Sequence, residues 1–198
     1  GIRRIGHGGT LDPFATGLLA IGIGSATKGL AAFSGSEKTY VATAVLGAGS
    51  DTQDLTGAIV PMADAPMPDR GALETAMAKF VGQIAQIPPM YSAKKIGGKK
   101  LYELARAGKT VERKPVMVTI KTLRLLDYVP PRFTFETTCS GGTYVRTLAH
   151  DIGAALGSGA YLESLRRTAI GAHRVESGKP LDAITPANWQ KLLMRSGA

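Results

Sequence analysis

Only three residues, Val129-Pro130-Pro131, separate two stretches that read as β-strands, Val116 to Tyr128 and Arg132 to Cys139. Phe133, Phe135 and Thr137 alternate with Thr134, Glu136 and Thr138, the period of a pleated strand. Parallel neighbours need a crossover of about a dozen residues, so this link commits the pair to a hairpin. Thr39 to Leu46 alternates too, with Tyr40, Ala42, Ala44 and Leu46 on one face and Val41, Thr43 and Val45 on the other. Both faces are apolar enough to predict a strand within a covered sheet.

The remaining elements fall around these strands. Gly47 to Gly57, with Asp51 and Asp54, reads as a loop, and Ile59-Val60 as a short strand. Asp69 is a candidate N-cap for a helix over 70–81, with Leu73, Met77, Phe80 and Val81 facing the core. The prolines of Ile87 to Tyr91 predict extended backbone. A short helix over 100–107 stops at Gly108, and a longer one over 145–156 stops at Gly157. A short strand near 169–175 and a terminal helix near 186–194 complete the chain, while residues 1–29 read as loop plus a short apolar element. The strands and helices lack regular βαβ spacing. The expected class is α/β (α+β), a mixed, mainly antiparallel sheet flanked by helices.

With 198 residues, 44% of them hydrophobic, the chain suits one domain, with or without a small insert. Lys and Arg outnumber Asp and Glu by 24 to 15. A net charge of +9 and a pI near 9.8 point to a polyanionic partner, though a solvated basic surface accounts for charge alone. Cys139 is the only cysteine, so an intrachain disulfide is excluded; it reads as a small buried residue in a reducing cytoplasm. No apolar run reaches a membrane span and no secretory signal is visible.

Walker and dinucleotide fingerprints are absent. His7, His150 and His173 lack metal-ligand spacing, and Ser92 and Ser140 lack a triad arrangement. Three segments remain. In His7 to Gly17, glycines permit sharp turns, and Asp12 before Pro13 projects from extended backbone; a lone Asp-Pro is also an ordinary turn former. In Cys139 to Arg146, glycines open a helix whose free N–H groups can hold an anion, and Arg146 in the first turn by itself reads as a surface residue. Lys94, Lys95, Lys99 and Lys100, interleaved with glycines, suit phosphate tracking and a solvated charge run equally.

Together these segments resemble the TruB family of pseudouridine synthases. Gly6-His7-Gly8-Gly9-Thr10-Leu11-Asp12-Pro13 with Ala15-Thr16-Gly17 is similar to its signature. Glu37 to Tyr40, Ile87 to Lys95, Gly98 to Arg106, Cys139 to Thr147 and Leu165-Arg166-Arg167 follow in family order, so the resemblance spans nearly the whole chain. It implies the pseudouridine synthase catalytic fold and isomerisation of uridine in the T loop of tRNA, at the position conventionally numbered 55. It implies no metal, no organic cofactor and no membrane, in a cytoplasmic monomer. By the same resemblance Asp12 is the nucleophile and Arg146 its partner. Tyr40 packs on the base and can move a proton, Tyr144 and Leu165 line the uracil pocket, and His7 holds the flipped-out loop. Lys28, Asp54 and Arg167 lie near substrate. The family's N-terminal strand and helix are expected to be missing before Gly6, and its small C-terminal RNA-binding domain after residue 198. Residues 1–198 are then a catalytic domain. The alternatives are a guide-RNA-dependent relative acting on ribosomal RNA and a non-catalytic RNA-binding or tRNA-folding module.

Overall fold

The computed structural model describes residues 4–194, apart from the side chains at 95 and 96. The glycine-rich start, expected as loop, forms β1 (Ile5–Gly8), β2 (Thr16–Gly17) and β3 (Ala20–Ile23), followed by a 3-10 turn over Gly24–Gly29 and α1 (Leu30–Gly35). β1 pairs antiparallel with β3, and Gly6 opposite Gly22 leaves room for the Leu30 side chain. Next come β4 (Lys38–Leu46), β5 (Ala48–Ser50), β6 (Ile59–Pro61), α2 (Arg70–Ala78) and β7 (Gly82–Gln86). The lysine run lies on a two-strand hairpin, β8 (Lys95–Ile96) and β9 (Lys99–Lys100), leading into α3 (Leu101–Arg106). The chain then runs through β10 (Val116–Val129), β11 (Arg132–Cys139), α4 (Val145–Ala155), β12 (Ala160–Ile170) and β13 (His173–Arg174).

The main sheet has the order β13-β12-β4-β11-β10-β7, antiparallel throughout, with β2 added parallel to β12. This is the mixed, mainly antiparallel sheet with helices expected from the sequence. The β10–β11 hairpin forms across the proline link. α4 packs on β12 and β4, and α2 packs on β10 and α4. Between helices and sheet lie Ala42, Ala44, Phe133, Phe135, Leu148, Ile152 and Leu162. Small residues bring α4 close: a Cβ on Gly153 would sit 2.4 Å from the Cβ of Ala160.

Four further expectations need correction. The second face of β4 is not another core. Val45 is buried, but Val41 and Thr43 are only half-buried, and Thr39 and Thr43 pair by hydroxyl with Thr138 and Thr134 at 3.0 Å each. The 70–81 helix ends at Ala78, because the N–H groups of Lys79, Phe80 and Val81 turn to carbonyls three residues back; Asp69 does cap it, accepting from Ala72 at 2.7 Å, but Val81 is exposed. In place of a short strand at 169–175 there is β12, eleven residues long. Register breaks near Glu163 and Thr168 shift the inward positions from Ala160 and Leu162 to Leu165, Arg167 and Ala169, so simple alternation misses the strand. Finally, the 186–194 segment forms only a 3-10 turn, Trp189–Leu192, with no buried residue to anchor a longer helix.

Candidate active site

Residues 9–18 form a loop whose ends are tied to β12. Thr16-Gly17 pairs with Arg166-Arg167, and the Leu18 N–H donates to the Arg167 carbonyl at 2.9 Å. Gly17 is required here: its φ is +99°, and a Cβ would fall 2.2 Å from the Arg167 carbonyl oxygen. The Arg167 guanidinium, 1% exposed, finishes the staple by donating to the carbonyls of Leu18 at 2.7 Å, Gly9 at 3.0 Å and, more weakly, Thr10 at 3.5 Å. Between these ends the Ala15 N–H donates to the Asp12 carbonyl at 2.9 Å, closing a turn. Leu11, Phe14 and Ala15 pack on the core, which leaves the Asp12 carboxylate standing at the tip.

A second turn approaches from the β5–β6 connection. Asp54 Oδ1 accepts from the Thr52 hydroxyl at 2.7 Å and from the Thr56 N–H and hydroxyl at 2.9 and 2.5 Å. Backbone bonds from Leu162 to Gln53 and from Leu55 to Leu162 dock this turn on β12. Gln53 takes φ +65°, and its side chain accepts from Thr147 of α4 at 2.7 Å.

Arg146 joins the two turns. It projects from the first turn of α4 and is 3% exposed, which overturns the surface reading of this residue taken alone. Its Nη2 donates to Asp12 Oδ1 at 3.0 Å and to the Tyr91 carbonyl at 2.6 Å. Its Nη1 reaches Asp54 Oδ2 and the Thr52 carbonyl, both at 3.4 Å. The Asp54 side chain is sealed at 4% exposure, whereas that of Asp12 keeps 26%. One guanidinium thus holds two carboxylates, of which only Asp12 is open to a ligand. Burial pushes the Asp12 carboxyl above its ordinary range; Arg146 opposes this, and the charge of Asp54 adds to it.

The other expected residues fall into two groups. The ring of Tyr144, at the N-cap of α4, lies 5.8 Å from the Arg146 guanidinium carbon. Tyr40 and Leu165 occupy the buried faces of adjacent strands β4 and β12, where Leu165 is opposite Ala42 and Arg167 opposite Tyr40. Burial raises the Tyr40 phenol and Arg167 opposes the rise, so the phenol is neutral at neutral pH. His7 on β1 and Lys28 in the 3-10 turn are both exposed, and neither is hydrogen-bonded to the Asp12–Arg146–Asp54 group.

Sequence reasoning missed two buried polar residues. Lys38 donates to the carbonyls of Ser34 and Ser36 at 2.5 and 2.7 Å, beside Gly9. Gln86 bonds to the Tyr144 backbone twice, at 2.8 and 3.0 Å. Lys38 lies within the Glu37–Tyr40 block but next to the residue that drew attention there, and Gln86 lies just outside the Ile87–Lys95 block. Cys139 is buried as expected, and burial lifts its thiol to about 11. Of the lysine run, Lys94 and Lys99 are exposed and Lys100 lies over the Tyr102 ring, while the Lys95 side chain is outside the described residues. Among the described residues no group of three or more His, Cys, Asp and Glu is placed to hold a metal, and no helix is long and apolar enough to cross a membrane.

Comparison with known proteins bears on what this arrangement belongs to. Residues 1–145 match the TruB family pseudouridylate synthase N-terminal domain, and residues 146–192 the tRNA pseudouridylate synthase B C-terminal domain. The boundary between the two falls inside α4, and β12 beyond it hydrogen-bonds to β4 before it. The tRNA pseudouridine synthase B of Burkholderia pseudomallei (strain 668) is 50% identical over 186 residues, which cover 94% of this chain and 61% of that protein. That of Cupriavidus metallidurans is 51% identical over 184 residues, or 92% and 58%. The chain therefore spans about three-fifths of the length of these relatives. Among solved structures, a Cbf5–Nop10–Gar1 complex superposes with a TM-score of 0.68 at 27% identity over 91% of this chain and 45% of the matched one. An H/ACA ribonucleoprotein bound to a substrate RNA containing 2'-deoxyuridine gives 0.65 at 26% identity over 91% and 43%. With a matching family model over residues 1–145 and these relatives, the chain belongs to the TruB family of pseudouridylate synthases.

Proposed function

We propose that this chain is the catalytic unit of an enzyme that isomerises uridine to pseudouridine at position 55 in the T loop of tRNA, with Asp12 as nucleophile. The observation that carries the reading is the shared Arg146: of the two carboxylates it holds, only Asp12 is open at its tip. Family membership and the names of the relatives support uridine in tRNA as the substrate. A sheet continuous across both family matches supports treating residues 1–198 as one unit. A tRNA substrate suits the cytoplasm, and the net charge of +9 suits a phosphate backbone.

The reacting C–N bond is hidden in a base stack, so the nucleotide must be extruded. Tyr40, Tyr144 and Leu165 supply aromatic and apolar faces for the uracil. His7 and Lys28, both exposed, are suited to meet the surrounding RNA, and the exposed Lys94 and Lys99 to meet phosphates. Asp12 reacts as the carboxylate, which Arg146 favours against desolvation. Attack at uracil C6, attack at ribose C1′ and assisted elimination to a glycal all begin from this geometry. In each route the uracil turns within the pocket and re-bonds through carbon. Tyr40, a neutral phenol, packs on the base and can pass a proton only as another group replaces it.

The test is incubation of the full-length protein with an unmodified tRNA transcript and no other RNA. Pseudouridine at position 55 is the expected product. Its absence overturns this reading and favours a guide-dependent relative, in keeping with the ribonucleoprotein complexes among the structural neighbours.

A further inference from the structure

Gln86 is 1% exposed, a polar side chain sealed at the end of β7 opposite Val116. Its Oε1 accepts from the Tyr144 N–H at 2.8 Å, and its Nε2 donates to the Tyr144 carbonyl at 3.0 Å. The side-chain amide pairs with the Tyr144 backbone as a neighbouring strand would. Tyr144 is the N-cap of α4, in extended conformation, with no side-chain cap of its own. Five residues beyond Gln86, the Tyr91 carbonyl accepts from Arg146 Nη2 at 2.6 Å. Pro88 and Pro89, both buried, stiffen the strap between these contacts.

We propose that Gln86 is a positioning residue for the isomerisation. It fixes the Tyr144 backbone, and with it the ring beside the base pocket and the start of α4 from which Arg146 reaches Asp12. The strap that follows fixes Arg146 at its other end through Tyr91. The inference rests on the roles given above to Tyr144 and Arg146. A filler that only closed the core would affect stability and leave the rate of the folded enzyme alone.

Two variants of the full-length protein separate these roles. Gln86→Leu keeps the volume and removes both bonds. Gln86→Glu reproduces donor and acceptor while its carboxyl is protonated, a form that burial favours, and loses the donor as rising pH ionises it. For Gln86→Leu, single-turnover pseudouridine formation falls about 100-fold, the scale of a small misplacement of reacting groups. Its Kd for tRNA stays within about threefold, because phosphate contacts dominate affinity. For Gln86→Glu the rate recovers towards low pH and falls as pH rises, relative to wild type at each pH. A wild-type rate in Gln86→Leu overturns the proposal, and so does a Gln86→Glu rate that stays parallel to wild type across the pH at which infrared absorption shows the new carboxyl ionising. If Gln86→Leu does not fold, the profile of Gln86→Glu decides alone. If wild type itself forms no pseudouridine, the functional reading fails and this inference falls with it; a working wild type with an indifferent Gln86 sinks the inference only.

Discussion

Arg146 and Arg167 are both almost fully buried, and both hold the loop that carries Asp12, but they hold it by different chemistry. Arg146 binds the tip through the Asp12 carboxylate and shares itself with Asp54. Arg167 binds the ends through the carbonyls of Gly9, Thr10 and Leu18, and no carboxylate pairs with it among the described residues. The first arrangement sets the charge of a carboxylate that stays open to a ligand; the second fixes backbone. A buried guanidinium with two carboxylates is an electrostatic device, whereas one capped by carbonyls satisfies orphaned acceptors and leaves its charge facing Tyr40. The two grips complement each other, because a carboxylate held only at its tip would still swing on its ends.

The largest expected effect is at Arg146. Arg146→Met leaves two carboxylates facing each other without a cation, so stability drops by about 3–5 kcal/mol in denaturant unfolding and turnover is lost. Arg146→Lys keeps the charge but not the planar fork that spans both carboxylates, so a stable protein results with turnover lowered about 100-fold. A lysine variant at the wild-type rate would show that charge alone suffices. At Arg167 the expected damage is to backbone order. Arg167→Met strands the Gly9 and Leu18 carbonyls, lowers stability by about 1–3 kcal/mol and speeds amide exchange over residues 9–18. If exchange there is unchanged, the staple is not what orders the loop.

A smaller effect concerns pH. With Asp12 in its proposed role turnover requires the ionised carboxylate, so the acid limb is expected above the ordinary carboxylate range, with activity falling as pH drops through the raised value. Because Asp54 adds to the rise, Asp54→Asn moves that limb to lower pH in a rate profile; a limb that moves up would mean that Asp54 mainly positions Arg146. The smallest effect is at the exposed Arg132–Glu163 pair, bidentate at 2.9 Å on the outer face of the sheet. Arg132→Gln should leave both melting temperature and turnover where they are, since exposed pairs add little.

The contrast between the arginines also explains which parts of the molecule can be read from sequence. Elements whose apolar residues keep a regular period, such as β11 and α4, are legible because the period survives folding, and β10, which breaks register twice, is legible through its three-residue link to β11. β12 is not, because its register breaks shift the inward positions mid-strand and because Arg167, a charged residue, points inward. At the site, the residues around Asp12, Tyr40 and Arg146 stand out through a family resemblance. Composition alone gives an ordinary turn and a surface arginine. The burial of Arg146 depends on Asp54 and on the Tyr91 carbonyl, which arrive from distant segments. Gln86 has no such company in sequence. Its partner is the backbone of Tyr144, and backbone carries no residue signal.

The most direct test of the central claim removes the charge and nucleophilicity of Asp12 while keeping its shape. With the full-length Asp12→Asn protein, tRNA binding and single-turnover pseudouridine formation are measured side by side. The account predicts wild-type-like affinity, since the phosphate contacts are untouched, and no pseudouridine. Product formed by Asp12→Asn at the wild-type rate would contradict it and take the nucleophile away from the tip of this loop.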